Sequence, residues 1–226
     1  MDLTQLAQSL SIPPLISSTD YAHQVLRAAI LRGALPAGHP LRQEEIAAQL
    51  GISRLPVREA LIKLAAEGLV TLHHNRGAVV SQLSADEVEE LYEIRCALEP
   101  TALRLAFPHF VDADLDRAEG IIEQTDDETD AGRWGELNWE FHRSLYQPAG
   151  RARLLDLIHT MHINVDRYLR FEMSILSYKA QSQQEHRRIL DACRRGDQHL
   201  AIQLLEKHIR TAGEELTAHL CRSEAV

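Results

Sequence analysis

The chain has 226 residues, 45% of them hydrophobic, enough for one large core or two smaller ones. Its formal net charge is −9, and its three cysteines, Cys96, Cys193 and Cys221, are scattered and form no C-x-x-C pair, which argues against a disulfide-built secreted domain and fits a cytoplasmic protein. Residues 1–18 carry no lysine or arginine, and no apolar run approaches the roughly 18 residues of a membrane span, so neither a signal peptide nor a membrane anchor is expected.

In chain order, residues 1–18 contain Pro13-Pro14 and clustered serines and read as a flexible arm. Tyr21, Val25, Leu26, Ala29 and Ile30 recur at helical spacing over 21–32. "GALPAGHP" (33–40) is a loop, a short helix follows over about 43–50, and Gly51 ends it. Ser53 is placed to cap a further helix from Arg54 to about Glu67, with Gly68 as its stop. Two β-prone runs, 69–72 and 78–81, flank the tip His73-His74-Asn75-Arg76-Gly77 and read as a hairpin. From Ser84, which with Glu87 forms a capping box, the pattern is helical throughout. Breaks near Pro108, 126–132, 148–150, Ser177 and Gly196 divide the back half into about six helices.

The charge divides in the same way. Residues 19–82 hold seven Lys/Arg against five Asp/Glu, and residues 83–226 hold 17 against 27. A mildly basic front and an acidic back imply two modules with different partners.

Helix, short helix, glycine turn, helix and hairpin describe a winged helix-turn-helix. In the helix that starts at Arg54, Val57, Ala60, Leu61 and Leu64 share one face, while Arg54 and Arg58 lie together at i, i+4 on another. Arginine at a helix N-terminus can grip guanine or clamp phosphate. The plain alternative is a solvated, charged helix end. The surroundings favour DNA. "GALPAGHPLR", "IAAQLGISR", "PVREAL" and "EGLV…NRGAVV", in that order, resemble the GntR-type winged-helix regulators over some 60 residues. The resemblance implies that Arg42, Arg54 and Arg58 approach DNA and that the Gly77 wing meets a groove edge. Ser53 at the turn and His74 and Arg76 at the wing tip complete the expected DNA-facing set. Two positions depart from the pattern: Glu44 stands where many relatives carry a basic residue, and Leu55 stands where a threonine is usual. The first should repel phosphate locally; the second gives up a hydroxyl but can touch a thymine methyl.

The back half has no G-x-S-x-G, P-loop or H-E-x-x-H signature. "NWEFHRSLY" places Asn138 and His142 at i, i+4, and His186 and His208 lie on two later helices. Such a set can surround one divalent cation inside a bundle, although a lone helical histidine is more often merely solvated or capped. Together with "LYEIRCALEPTALRLA" and "EHRRILDACRRGDQHLAIQLLEKHI", the order resembles the FadR-like branch with its FCD ligand-binding domain, over about 87–215. The resemblance implies metal ligands His142, His186 and His208, with Asn138 at a position where aspartate is common. Three neutral imidazoles suit zinc or nickel, with manganese as a further candidate. Arg95 lies on a helix with an apolar face and needs an anion, either an internal carboxylate such as Glu99 or Asp166 or the carboxylate of an effector.

The expected molecule is therefore mostly α. An arm (1–18) precedes a winged helix-turn-helix of three helices and a hairpin (19–83), then an all-α effector-binding and dimerisation bundle (84–220) and a tail (221–226). It would bind operator DNA as a homodimer and respond to a small organic acid. The rival expectations are a bundle that only dimerises and a metal-dependent helical enzyme with an accessory head.

Overall fold

The computed structural model describes residues 3–10, 16–73, 77–129, 131–172 and 175–224, and divides into two compact units, 1–82 and 83–226. The first unit opens with α1 (Leu3–Ser9), which buries Leu3, Leu6 and Ala7 against α2 (Ser18–Leu31) and α3 (Gln43–Leu50). The flexible arm expected over 1–18 is thus corrected over Leu3–Ser9. The i, i+3, i+4 spacing of these three residues makes a short apolar stripe, and Leu3 N donates to Gln49 Oε1 at 3.1 Å. The Pro13-Pro14 stretch lies outside the described residues.

Ser17 caps α2 by accepting from Asp20 N at 3.0 Å, and Ala22, Val25, Leu26, Ala29 and Ile30 form its buried face. Against it lies α4 (Arg54–Ala66), which buries Val57, Ala60, Leu61 and Leu64. Between α3 and α4, Gly51 adopts φ 66°, a left-handed conformation that costs glycine little and sets the angle of the turn. The wing is a three-stranded antiparallel sheet of order β1-β3-β2, formed by β1 (Pro40–Leu41), β2 (Val70–His73) and β3 (Gly77–Val80). The hairpin pairs Val70 with Val80 and His73 with Gly77. The short β1, which pairs Leu41 with Ala78, carries no alternating pattern long enough to read in the sequence.

The second unit contains six α-helices among its described residues: α5 (Ala85–Ala106), α6 (Asp112–Asp127), α7 (Ala131–Tyr146), α8 (Ala152–Glu172), α9 (Ile175–Arg194) and α10 (Gln198–Glu224). The capping box at the start of α5 is present, with Ser84 Oγ accepting from Glu87 N at 3.2 Å and Ser84 N donating to Glu87 Oε2 at 2.8 Å. α5 packs against α7, α8 and α10, and Val88, Leu103, Phe141, Leu145, Ile158 and Leu205 are almost fully buried. Each such side chain contributes about 1.5–3 kcal/mol relative to exposure. Gly213 allows α5 and α10 to approach closely, since a Cβ there would lie 2.7 Å from Tyr92 Cγ. No helix among the described residues is long and apolar enough to cross a membrane.

Candidate functional site

The first unit presents the N-terminal end of α4 to solvent. Arg54, Leu55 and Arg58 are exposed there, opposite the buried Val57–Leu61 face. Leu55 is 63% exposed. Ser53 occupies the N-cap position in an extended conformation but makes no side-chain capping bond. This corrects the expected cap. The third residue of the helix is Pro56, which has no N–H for the Ser53 hydroxyl to accept.

The arginines expected to meet DNA do not stand alone. Arg54 Nη1 lies 2.9 Å from Glu44 Oε1, and Arg42 Nη1 lies 2.8 Å from Glu45 Oε1. Exposed pairs of this kind contribute about 0–1 kcal/mol to stability. Gly77 opens β3 with φ 87°. The expected contacts His74 and Arg76 lie outside the described residues.

The second unit brings His142 of α7, His186 of α9 and His208 of α10 together, with one ring nitrogen from each lying within 4.8 Å of the others. All three rings are buried. Their hydrogen bonds fix their tautomers. Tyr146 Oη donates to Glu99 Oε2 at 2.7 Å, so it can only accept from His142 Nδ1, 3.1 Å away. Gln183 Nε2 is spent on Ile122 O and Asp126 Oδ1, which leaves Gln183 Oε1 to accept from His186 Nδ1 at 3.1 Å. Glu185 Oε2 accepts from His208 Nδ1 at 2.6 Å. In each neutral ring the proton then sits on Nδ1 and the lone pair on Nε2.

That arrangement is the one a metal ligand requires, with one nitrogen oriented by an acceptor and the other free to coordinate. His142 Nε2 is buried with no hydrogen-bond partner, and His186 Nε2 has only Ser182 Oγ at 3.4 Å. The donor set therefore fits a divalent cation. Burial, with the neighbouring histidines, holds the pKa of His142 well below the ordinary imidazole value despite Glu99; burial, His208 and Arg187 do the same for His186. Both rings are neutral at pH 7, as coordination needs. Asn138 is half-buried one helical turn before His142 on α7.

Behind the histidines lies a buried charge network. Arg95 Nε donates to Glu99 Oε1 at 2.6 Å, and Arg95 Nη2 lies 3.0 Å from His162 Nε2. Of the alternatives for Arg95, the structure forms the internal pair with Glu99; the Asp166 side chain lies outside the described residues. An effector carboxylate at Arg95 would meet a guanidinium whose charge is already matched. Burial alone would raise the Glu99 pKa, but Arg95, His162 and His142 outweigh it and hold the carboxyl well below its usual range. Burial and then Arg95 pull His162 down to about 4, so it is a neutral acceptor at pH 7. The ring of Trp139 stacks on His159 at 4.6 Å and approaches His162 at 4.9 Å, forming an aromatic wall beside the network.

Sequence spacing alone missed Tyr146, His162, Gln183 and Glu185. Tyr146 lies one turn beyond His142 and Gln183 lies three residues before His186, so helical periodicity contains the signal for both. His162 and Glu185 reach their partners only through tertiary packing.

Comparison with known proteins bears on both units. The model of bacterial regulatory proteins of the gntR family matches residues 19–80, and the FCD domain model matches residues 90–211. A probable D-xylose utilization operon transcriptional repressor of Paenarthrobacter nicotinovorans is 36% identical over 193 residues, covering 84% of each chain. A GntR-family transcriptional regulator from Pseudomonas syringae pv. tomato, of known structure, is 34% identical with a TM-score of 0.59, covering 99% of this chain and 96% of that one. A putative GntR regulator from Rhodococcus is 26% identical with a TM-score of 0.77, covering 89% and 98%.

Proposed function

Because the chain belongs to the GntR family of bacterial regulatory proteins and carries an FCD domain, it is a DNA-binding transcriptional regulator rather than an enzyme, and we propose that a small organic acid, held through a divalent metal in the helical unit, controls its affinity for operator DNA. The observation that carries this reading is the trio of Nε2 lone pairs on His142, His186 and His208.

Zinc or nickel suits three neutral imidazoles better than manganese does. When bound, the ion supplies a Lewis-acid anchor for a carboxylate at the coordination position that the histidines leave open. The protein's own groups do the rest. Glu99, through Tyr146, fixes the proton of His142 on Nδ1; Gln183 and Glu185 do so for the other two rings. Arg95 neutralises Glu99, so this negative charge lies close to the ligands without standing unpaired in the core. Asn138, one turn from His142, offers an amide carbonyl and no charge, which leaves more of the ion's charge for an anionic effector. Arg95 thus enters as the partner of Glu99 rather than as a direct effector ligand.

In the winged helix, Arg54 and Arg58 of α4 read the major groove. Arg42, the uncapped Ser53 hydroxyl, His74, Arg76 and Gly77 approach the phosphates and groove edge. Reading two half-sites calls for a homodimer. A thermal-shift screen of carboxylates, with and without chelator, paired with DNA gel shifts tests the whole chain of effects. Carboxylates that raise the melting temperature only with metal present, and that also change DNA retention, support the proposal. A response identical after chelation removes the metal from it, and no response to any carboxylate leaves a bundle that serves dimerisation alone.

A further inference from the structure

We propose that Glu44 is a specificity-determining residue: paired with Arg54, it makes the head select a cytosine beside the guanine read by that arginine. The inference rests on the DNA-reading role of α4 proposed above.

The pair is not a local helix contact. Glu44 belongs to the first turn of α3 and Arg54 to the first turn of α4, and the Gly51 turn brings Oε1 and Nη1 to 2.9 Å. Both side chains remain largely exposed, at 75% and 66%, so the pair adds little to stability and its atoms remain open to a ligand. A carboxylate on this face repels phosphate. The favourable place for Glu44 in a docked duplex is therefore against base edges, where hydrogen-bond donors are available.

In the major groove those donors are the amino groups of cytosine and adenine. Adenine sets its N7 acceptor beside its amino group, so the second carboxylate oxygen would meet a lone pair. Cytosine has no such neighbour and is the better partner. Arg54 is held beside Glu44 as an ion pair and keeps its N–H groups for the O6 and N7 acceptors of guanine. The salt bridge also limits the guanidinium to rotamers within reach of Glu44, which couples the two readings into adjacent positions.

The test uses the full-length protein and selection from a randomised double-stranded DNA library, followed by competition binding on the selected site. Wild type should enrich a cytosine next to a guanine, and replacing that cytosine should weaken binding about tenfold. Glu44→Gln should shift the preference at that one position towards adenine, which an amide reads bidentately, and leave the other positions unchanged. Glu44→Ala should flatten the preference there without creating a new one, and Arg54→Ala should erase the neighbouring guanine. If Glu44→Gln and Glu44→Ala select the wild-type motif and bind every sequence uniformly more tightly, Glu44 only repels phosphate and the inference is overturned while the role of α4 stands. If no motif is enriched and Arg54→Ala binds as wild type does, the role of α4 fails and the inference falls with it.

Discussion

Replacing Glu99 by leucine should destabilise the helical unit severely. Glu99 has no exposed surface, and Arg95 beside it is only 5% exposed. The substitution leaves the Arg95 charge buried without its carboxylate 2.6 Å away, which costs about 3–5 kcal/mol. It also removes the acceptor of the Tyr146 hydroxyl, worth a further ~1 kcal/mol on its own. Both losses fall in one network, so they do not add in full, and about 4 kcal/mol is expected. At roughly 2–4 °C per kcal/mol, the melting temperature of chelator-treated protein should drop by about 10 °C. Urea unfolding should show a lower midpoint with an unchanged slope. The double variant Arg95→Met/Glu99→Leu removes both charges and should recover most of the loss. A single variant that costs less than ~1 kcal/mol, or a double variant no better than the single, would refute the account of this pair.

Gly213→Ala forces a Cβ to within 2.7 Å of the Tyr92 ring and should cost about 1–3 kcal/mol by thermal unfolding, whereas Gly120→Ala, in the middle of α6 with open space around it, should stabilise by about 0.5–1 kcal/mol. In the first unit, burial would raise the Glu67 pKa, but His23 at 2.5 Å and Arg27 at 3.1 Å hold it below 4.5. Its folded-state pKa is depressed, so its contribution is complete above the unfolded value and is lost as pH falls through the lowered one; Glu67→Gln should remove that acid-dependent part of the head's stability profile. Arg58→Ala should weaken operator binding by about 1–3 kcal/mol in a gel shift if it reads a base, and uniformly across sequences with a shallower salt slope if it clamps phosphate.

Much of the architecture is legible because its signals are local. The capping box at Ser84, the glycine turn at Gly51 and the apolar faces of α2 and α4 each depend on residues close together in the chain. The docking of α1 is harder to see, because seven residues give little periodicity and its contacts with Gln49 come from 45 residues away or more. Ser53 shows a limit of position-based reading: a residue favoured at caps sits at the cap position, yet the proline three residues on removes the N–H it would bind. In the histidine ligand set, helical spacing marks His142, whose neighbours Asn138 and Tyr146 lie four residues away on either side, and His186, with Gln183 three residues before it. The acceptor of His208 and the contact between His162 and Arg95 join different helices, and only the packed bundle reveals them.

The account turns on three imidazoles that each offer a lone pair from Nε2 to one cation. X-ray absorption at the metal edge, on full-length protein purified without chelator or refilled with zinc, addresses that directly. The predicted result is about one metal per chain with imidazole nitrogens at about 2.0–2.1 Å, lost in His142→Ala and in His208→Ala. A protein that retains no added metal, or one whose metal shows the same coordination after both substitutions, would contradict it.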